Sequence, residues 1–82
     1  MPKTIFSEGQ EVLQNLLRSV RLQAGLTQAK VAEKLKQPQS FVSKYEMGER
    51  RVDLVELHAI CSVLGISLRE FVNRFETALR NR

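Results

Sequence analysis

The chain has 82 residues, with 13 Lys and Arg against 9 Asp and Glu and a formal net charge of +4 at pH 7. A chain this short buries only about 60–65% of the surface that its unfolded form exposes, which allows one small domain and disfavours a deep substrate cleft. An apolar content of 43%, with four Gly and two Pro, argues against disorder, and a pI of about 9.7 makes nucleic acid a candidate partner.

No apolar run approaches the roughly 18 residues needed to span a bilayer, and Met1-Pro2-Lys3-Thr4 leads into no secretory apolar stretch. A soluble cytoplasmic protein with no membrane partner is expected. Cys61 is the single cysteine, so it forms no internal disulfide and has no second Cys with which to build a metal cluster beside His58. It reads as a small buried apolar residue. No metal, cofactor or small-molecule ligand is expected.

Gly and Pro divide the chain into five apolar-periodic segments without strand-like alternation, which predicts an all-α domain of five helices. Residues 1–7 read as a flexible N-terminal arm and 8–82 as a single domain. The first helix is expected from Ser7, where Ser7-Glu8-Gly9-Gln10 has the form of a capping box, with Val12, Leu13, Leu16, Leu17, Val20 and Ala24 at helical spacing. Gly25 ends it. Thr27 caps a short second helix carrying Val31, Ala32 and Leu35, and Pro38 opens a third that runs to Met47. After Gly48 and the charged loop Glu49-Arg50-Arg51, Asp53 and Glu56 form a capping box for a fourth helix with inner face Leu54, Leu57, Cys61 and Leu64. His58, on the edge of that face, is expected to be a partly buried structural residue. Gly65 stops the fourth helix, and Ser67-Leu68-Arg69-Glu70 opens a fifth with Leu68, Phe71, Val72, Phe75 and Leu79 on one face.

Two short helices around a tight break, within residues 28–47, match a helix-turn-helix. Such a motif needs a small residue where the helices cross, which Ala32 supplies, and apolar residues on the inner face of the second helix, which Val42 and Tyr45 supply. At about 100° per residue, Gln39, Ser40, Ser43 and Lys44 fall together on the opposite side. Those residues carry donors and acceptors that a major groove can match. Phe41 lies between the two faces, where packing against the second helix is expected.

The segments Leu26-Thr27-Gln28-Ala29-Lys30-Val31-Ala32-Glu33-Lys34-Leu35 and Gln39-Ser40-Phe41-Val42-Ser43-Lys44-Tyr45-Glu46-Met47-Gly48 resemble the phage repressor and Cro type of helix-turn-helix, the XRE family. The resemblance runs from about Leu17 to Phe71 and implies a five-helix, lambda-repressor-like DNA-binding domain whose third helix enters the major groove. It further implies base contacts from Gln39, Ser40, Ser43 and Lys44, phosphate contacts from Gln28, Arg50 and Arg51, and a structural ion pair between Arg21 and Glu46. The chain departs from the family pattern at Lys36, where Gly is common in the turn, and at Pro38, where Ser or Thr commonly caps the recognition helix. A left-handed backbone at Lys36 would be under mild strain.

Charge placement agrees with that orientation. Arg18 to Lys36 holds five basic residues and one acid, whereas Val52 to Leu68 holds Asp53 and Glu56 and no Lys or Arg. A second apolar stripe on the fourth helix, Val55, Ala59 and Val63, can pack beneath the fifth helix or form a homodimer interface. No nucleophile-base pair, paired metal ligands or phosphate-binding Gly loop is present, so no enzyme is expected. The expected function is double-stranded DNA binding by a homodimeric transcriptional regulator, a repressor reading a palindromic operator, nucleoid-associated when bound. The alternative is a protein-interaction module on the same fold, such as an antitoxin or a polymerase-binding partner.

Overall fold

The computed structural model describes residues 5–81. All regular structure among them is helical: α1 (Ile5–Gln23), α2 (Gln28–Leu35), α3 (Gln39–Met47), α4 (Leu54–Leu64) and α5 (Leu68–Arg80). The backbone is already helical at Ile5, so Ser7 lies inside α1 and is not the cap that Ser7-Glu8-Gly9-Gln10 suggests. Gly9 does not prevent this, since Gly within a helix costs only about 1 kcal/mol relative to Ala. Of the segment expected to form an N-terminal arm, residues 1–4 lie outside the described residues and 5–7 belong to α1.

Three of the other helix starts follow their caps. Thr27 Oγ1 accepts the Lys30 amide at 3.0 Å, Asp53 Oδ1 accepts the Glu56 amide at 2.7 Å, and Ser67 Oγ accepts the Glu70 amide at 3.0 Å. Each bond satisfies a donor left unpaired by the first turn of its helix. The α3 start differs by one residue from the expected one. Pro38 is extended, with φ −68° and ψ 154°, and acts as the N-cap without a side-chain hydrogen bond, so α3 begins at Gln39. Between α2 and α3, Lys36 is left-handed at φ 58°. The Lys36 amide donates to Glu33 O at 3.1 Å and that of Gln37 to Ala32 O at 3.0 Å, which pairs the last carbonyls of α2.

The core takes side chains from every helix: Leu17 and Val20 of α1, Val31 and Ala32 of α2, Val42 and Tyr45 of α3, Ile60, Cys61 and Leu64 of α4, and Phe71 of α5. Full burial of Leu17, Ile60 or Phe71 contributes about 1.5–3 kcal/mol each. Helix α2 packs on α3 and α4, while α5 packs on α1 and α4. Buried Ala32 permits close approach at the centre of the motif, and a larger residue there would overpack it by about 1–3 kcal/mol.

Helix α4 keeps Leu57, Cys61 and Leu64 of the expected face against the core, adds Ile60 and leaves out Leu54. Ile60, Cys61 and Leu64 are buried, while Leu54 is 66% exposed. His58 is exposed, not partly buried, since it falls about 160° around the helix from Ile60. Cys61 is buried as expected, and burial pushes its thiol pKa up. Val55 stands 81% exposed, so the second apolar stripe is only partly covered. On α5, Phe71 is fully buried, whereas Phe75 and Leu79 are half-buried.

Candidate nucleic-acid interface

Helix α3 has the two faces that its sequence spacing dictates. Val42 and Tyr45 are buried against α1 and α2, and burial pushes the Tyr45 phenol pKa upward. Gln39, Ser40 and Lys44 are exposed on the other side, with Ser43 half-buried beside them. The structure therefore brings the four expected base-contacting residues onto one surface. Phe41, expected to pack against α2, is half-buried against the core and meets Tyr45 of its own helix edge-on, with ring centroids 5.5 Å apart and planes at 85°. Met47 also belongs to the outward surface and is 65% exposed. An apolar type at a helix end reads as core in a composition pattern, but the 100° spacing puts Met47 between Ser43 and Ser40.

The orientation of α3 is fixed by a buried polar group. Arg21 on α1 donates from Nε to Glu46 Oε2 at 2.7 Å and from Nη2 to Glu46 Oε1 at 3.1 Å. Its Nη1 donates to the Leu26 carbonyl at 2.9 Å, so one guanidinium joins α1, the following turn and α3. The two side chains are 10% and 3% exposed. The hydrogen bond from Arg21 to Glu46 raises the Arg21 pKa and keeps it charged. Gln28 Nε2 also donates to Glu46 Oε1, at 3.1 Å. The residue expected to meet phosphate is thus held by the same carboxylate, at the first turn of α2, where backbone N–H groups and the helix dipole favour anions.

Arg50 and Arg51 have different surroundings. Arg50 pairs bidentately with Glu56, Nη1 to Oε1 at 3.1 Å and Nη2 to Oε2 at 2.6 Å, and lies 4.6 Å above the Phe41 ring centroid. Glu56 closes the α4 capping box by accepting the Asp53 amide at 2.9 Å. Hydrogen bonds from Arg50 and then from the Asp53 backbone hold the Glu56 carboxyl below the usual carboxylate range. Arg50 consequently ties the first turn of α3 to the start of α4. Arg51 is exposed, and its side chain has no hydrogen bond or ion pair among the described residues. Lys34, Lys36 and Arg18 are likewise exposed, whereas Lys30 approaches Glu33 at 3.6 Å. Among the described residues, no group of three or more His, Cys, Asp and Glu could hold a metal ion, and no helix is long and apolar enough to cross a membrane.

Known proteins share this fold. A family model described as helix-turn-helix matches residues 17–71. An XRE-family like protein from Pseudomonas syringae pv. tomato superposes with a TM-score of 0.84, at 37% identity and over 89% of each chain. The clp gene regulator ClgR from Corynebacterium glutamicum gives a TM-score of 0.77 at 27% identity, covering 87% of this chain and 91% of its own. A wild-type restriction-modification controller protein shares the fold, with a TM-score of 0.84 at 20% identity over 90% of this chain and 96% of that one. No curated protein sequence matches the chain.

Proposed function

Because the chain belongs to the XRE-type helix-turn-helix family, a family of DNA-binding transcriptional regulators, we propose that it is a homodimeric repressor that reads a palindromic operator through the major groove. The observation that carries this reading is the division of α3 into a core face, Val42 and Tyr45, and a solvent face, Gln39, Ser40 and Lys44. A helix held by its inner face and polar on its outer face can enter a groove without unpacking the domain.

In this reading Gln39 forms paired hydrogen bonds with a base edge, adenine being the best geometric match for an amide, while Ser40, Ser43 and Lys44 complete the half-site. Gln28 and Arg51 contact phosphate on either side and set the register. Two copies side by side would place their recognition helices one turn of DNA apart, roughly 34–36 Å. Exposed Leu54 and Val55 on α4 and Val72 on α5 are apolar surface that a second copy would cover. The protein would work in the cytoplasm, associated with the nucleoid when bound.

Titration of a random-sequence duplex pool at several salt concentrations tests the reading. DNA binding by phosphate neutralisation predicts that log K falls linearly with log of salt concentration. No measurable affinity for any duplex at low salt would contradict it and favour a protein-interaction module on the same fold.

A further inference from the structure

Met47 ends α3 one helical turn beyond Ser43, and the residue is 65% exposed on the same side of the helix as Ser40 and Ser43. Its Sδ lies 3.6 Å from Ser43 Oγ and accepts that hydroxyl as a weak hydrogen bond. The other sulfur in the described part of the chain, Cys61, is 1% exposed and sealed in the core. An oxidisable thioether therefore stands within the surface that reads DNA, in contact with one of the reading side chains, while the thiol is withheld from solvent.

We propose that Met47 is a peroxide-sensitive modification site whose oxidation weakens DNA reading by α3. The inference rests on the DNA-binding function proposed above. In the chemical step a lone pair of Met47 Sδ attacks one oxygen of hydrogen peroxide. The O–O bond breaks, an S–O bond forms, and the second oxygen leaves as water after proton transfer. Sulfur loses two electrons and peroxide gains them. The resulting sulfoxide oxygen is a far stronger acceptor than the thioether. One turn from Ser43, it captures the hydroxyl proton that a base would otherwise accept, and it sets a polar, bulkier group against the groove. Enzymatic reduction of the sulfoxide returns the original side chain, so the effect is reversible.

The sequence has two methionines, Met1 and Met47, so Met47→Leu removes one oxidisable thioether and keeps Met1 in both proteins, each being compared with its own untreated form. Leu is close in volume and cannot be oxidised. Wild type and M47L are treated with hydrogen peroxide, peptide-mapped by mass spectrometry, and titrated with the duplex that the untreated protein prefers. Wild type is expected to gain one oxygen at Met47 and to lose about tenfold in affinity, as for one hydrogen bond broken in a desolvated contact, with recovery after methionine sulfoxide reductase. Peroxide treatment of M47L is expected to leave its affinity at the value of untreated M47L, whatever that value is relative to wild type. Unchanged affinity of wild type oxidised at Met47 overturns the proposal, as does an equal loss in M47L. An untreated protein that binds no duplex instead contradicts the DNA-binding reading itself.

Discussion

Arg21 holds Glu46 through two hydrogen bonds, of 2.7 Å and 3.1 Å, between helices whose partners lie 25 residues apart in sequence. Glu46 follows Tyr45, so the same turn of α3 is anchored by an aromatic ring in the core and by a buried ion pair. Gln28 shares the carboxylate. The rotation of α3 about its axis, which decides whether Gln39 and Ser40 face the groove, is thereby set from α1 and α2 together.

Glu46→Ala should therefore destabilise the fold by about 3–5 kcal/mol, because it leaves the Arg21 guanidinium buried without its counter-charge. Replacing both residues with apolar side chains of similar volume should cost much less than the single change. Urea unfolding of the three proteins checks this. An unchanged midpoint for Glu46→Ala would show that the pair does not anchor α3.

The arginines of the 48–53 loop should separate in their salt dependence. Arg51→Ala should reduce the slope of log K against log of salt concentration by about 1, as expected for one lost phosphate contact. Arg50→Ala should leave that slope near its wild-type value, since the guanidinium is engaged by Glu56 and Phe41. It should instead loosen base preference at the positions that Gln39 and Ser40 contact. A slope reduced equally by both substitutions would place Arg50 on phosphate.

Glu56 makes stability depend on pH in a definite direction. Its carboxyl titrates below the usual range in the folded protein, so the stabilisation is fully present above the unfolded value, about 4.3, and is lost as pH falls through the lower folded value. The stability difference between wild type and Glu56→Gln should be largest near neutral pH and shrink on acidification. A difference that grows toward acid pH would contradict the Arg50–Glu56 assignment.

Lys36 offers a test of backbone strain. Its left-handed φ of 58° costs a non-Gly residue roughly 1–2 kcal/mol, part of which Gly returns through its greater freedom in the unfolded chain. Lys36→Gly should raise stability by up to about 1 kcal/mol, or about 4–8 °C in Tm for a domain of this size. A lower Tm would mean that the Lys36 side chain contributes more than its backbone loses.

Much of this architecture is legible in the residues themselves. Thr27, Asp53 and Ser67 announce helix starts because a cap is a local hydrogen bond, and Gly48 and Gly65 announce stops because left-handed conformations favour Gly. The faces of α3 follow from 100° spacing. What spacing does not supply is the depth of the core along each helix. Leu54 fits the inner stripe of α4 by type and spacing, yet it is 66% exposed while Leu57, three residues on, packs against the core. The partners of Arg50 are also hidden, because Glu56 already has a visible local role in the capping box and the second role depends on where α3 places Phe41. Ser7 shows the opposite error, a capping pattern that the helix overruns.

If the outward face of α3 reads base pairs and two copies do so together, the sequences bound are palindromic and change with Gln39. Selection of bound sequences from a random duplex pool, followed by the same selection with Gln39→Ala, tests it most directly. The expected result is a palindromic motif with half-sites one turn apart, and loss of preference at one symmetric pair of positions in the variant, costing about 1–3 kcal/mol at the preferred base. Recovery of no motif, or of a motif that Gln39→Ala leaves unchanged, would contradict it.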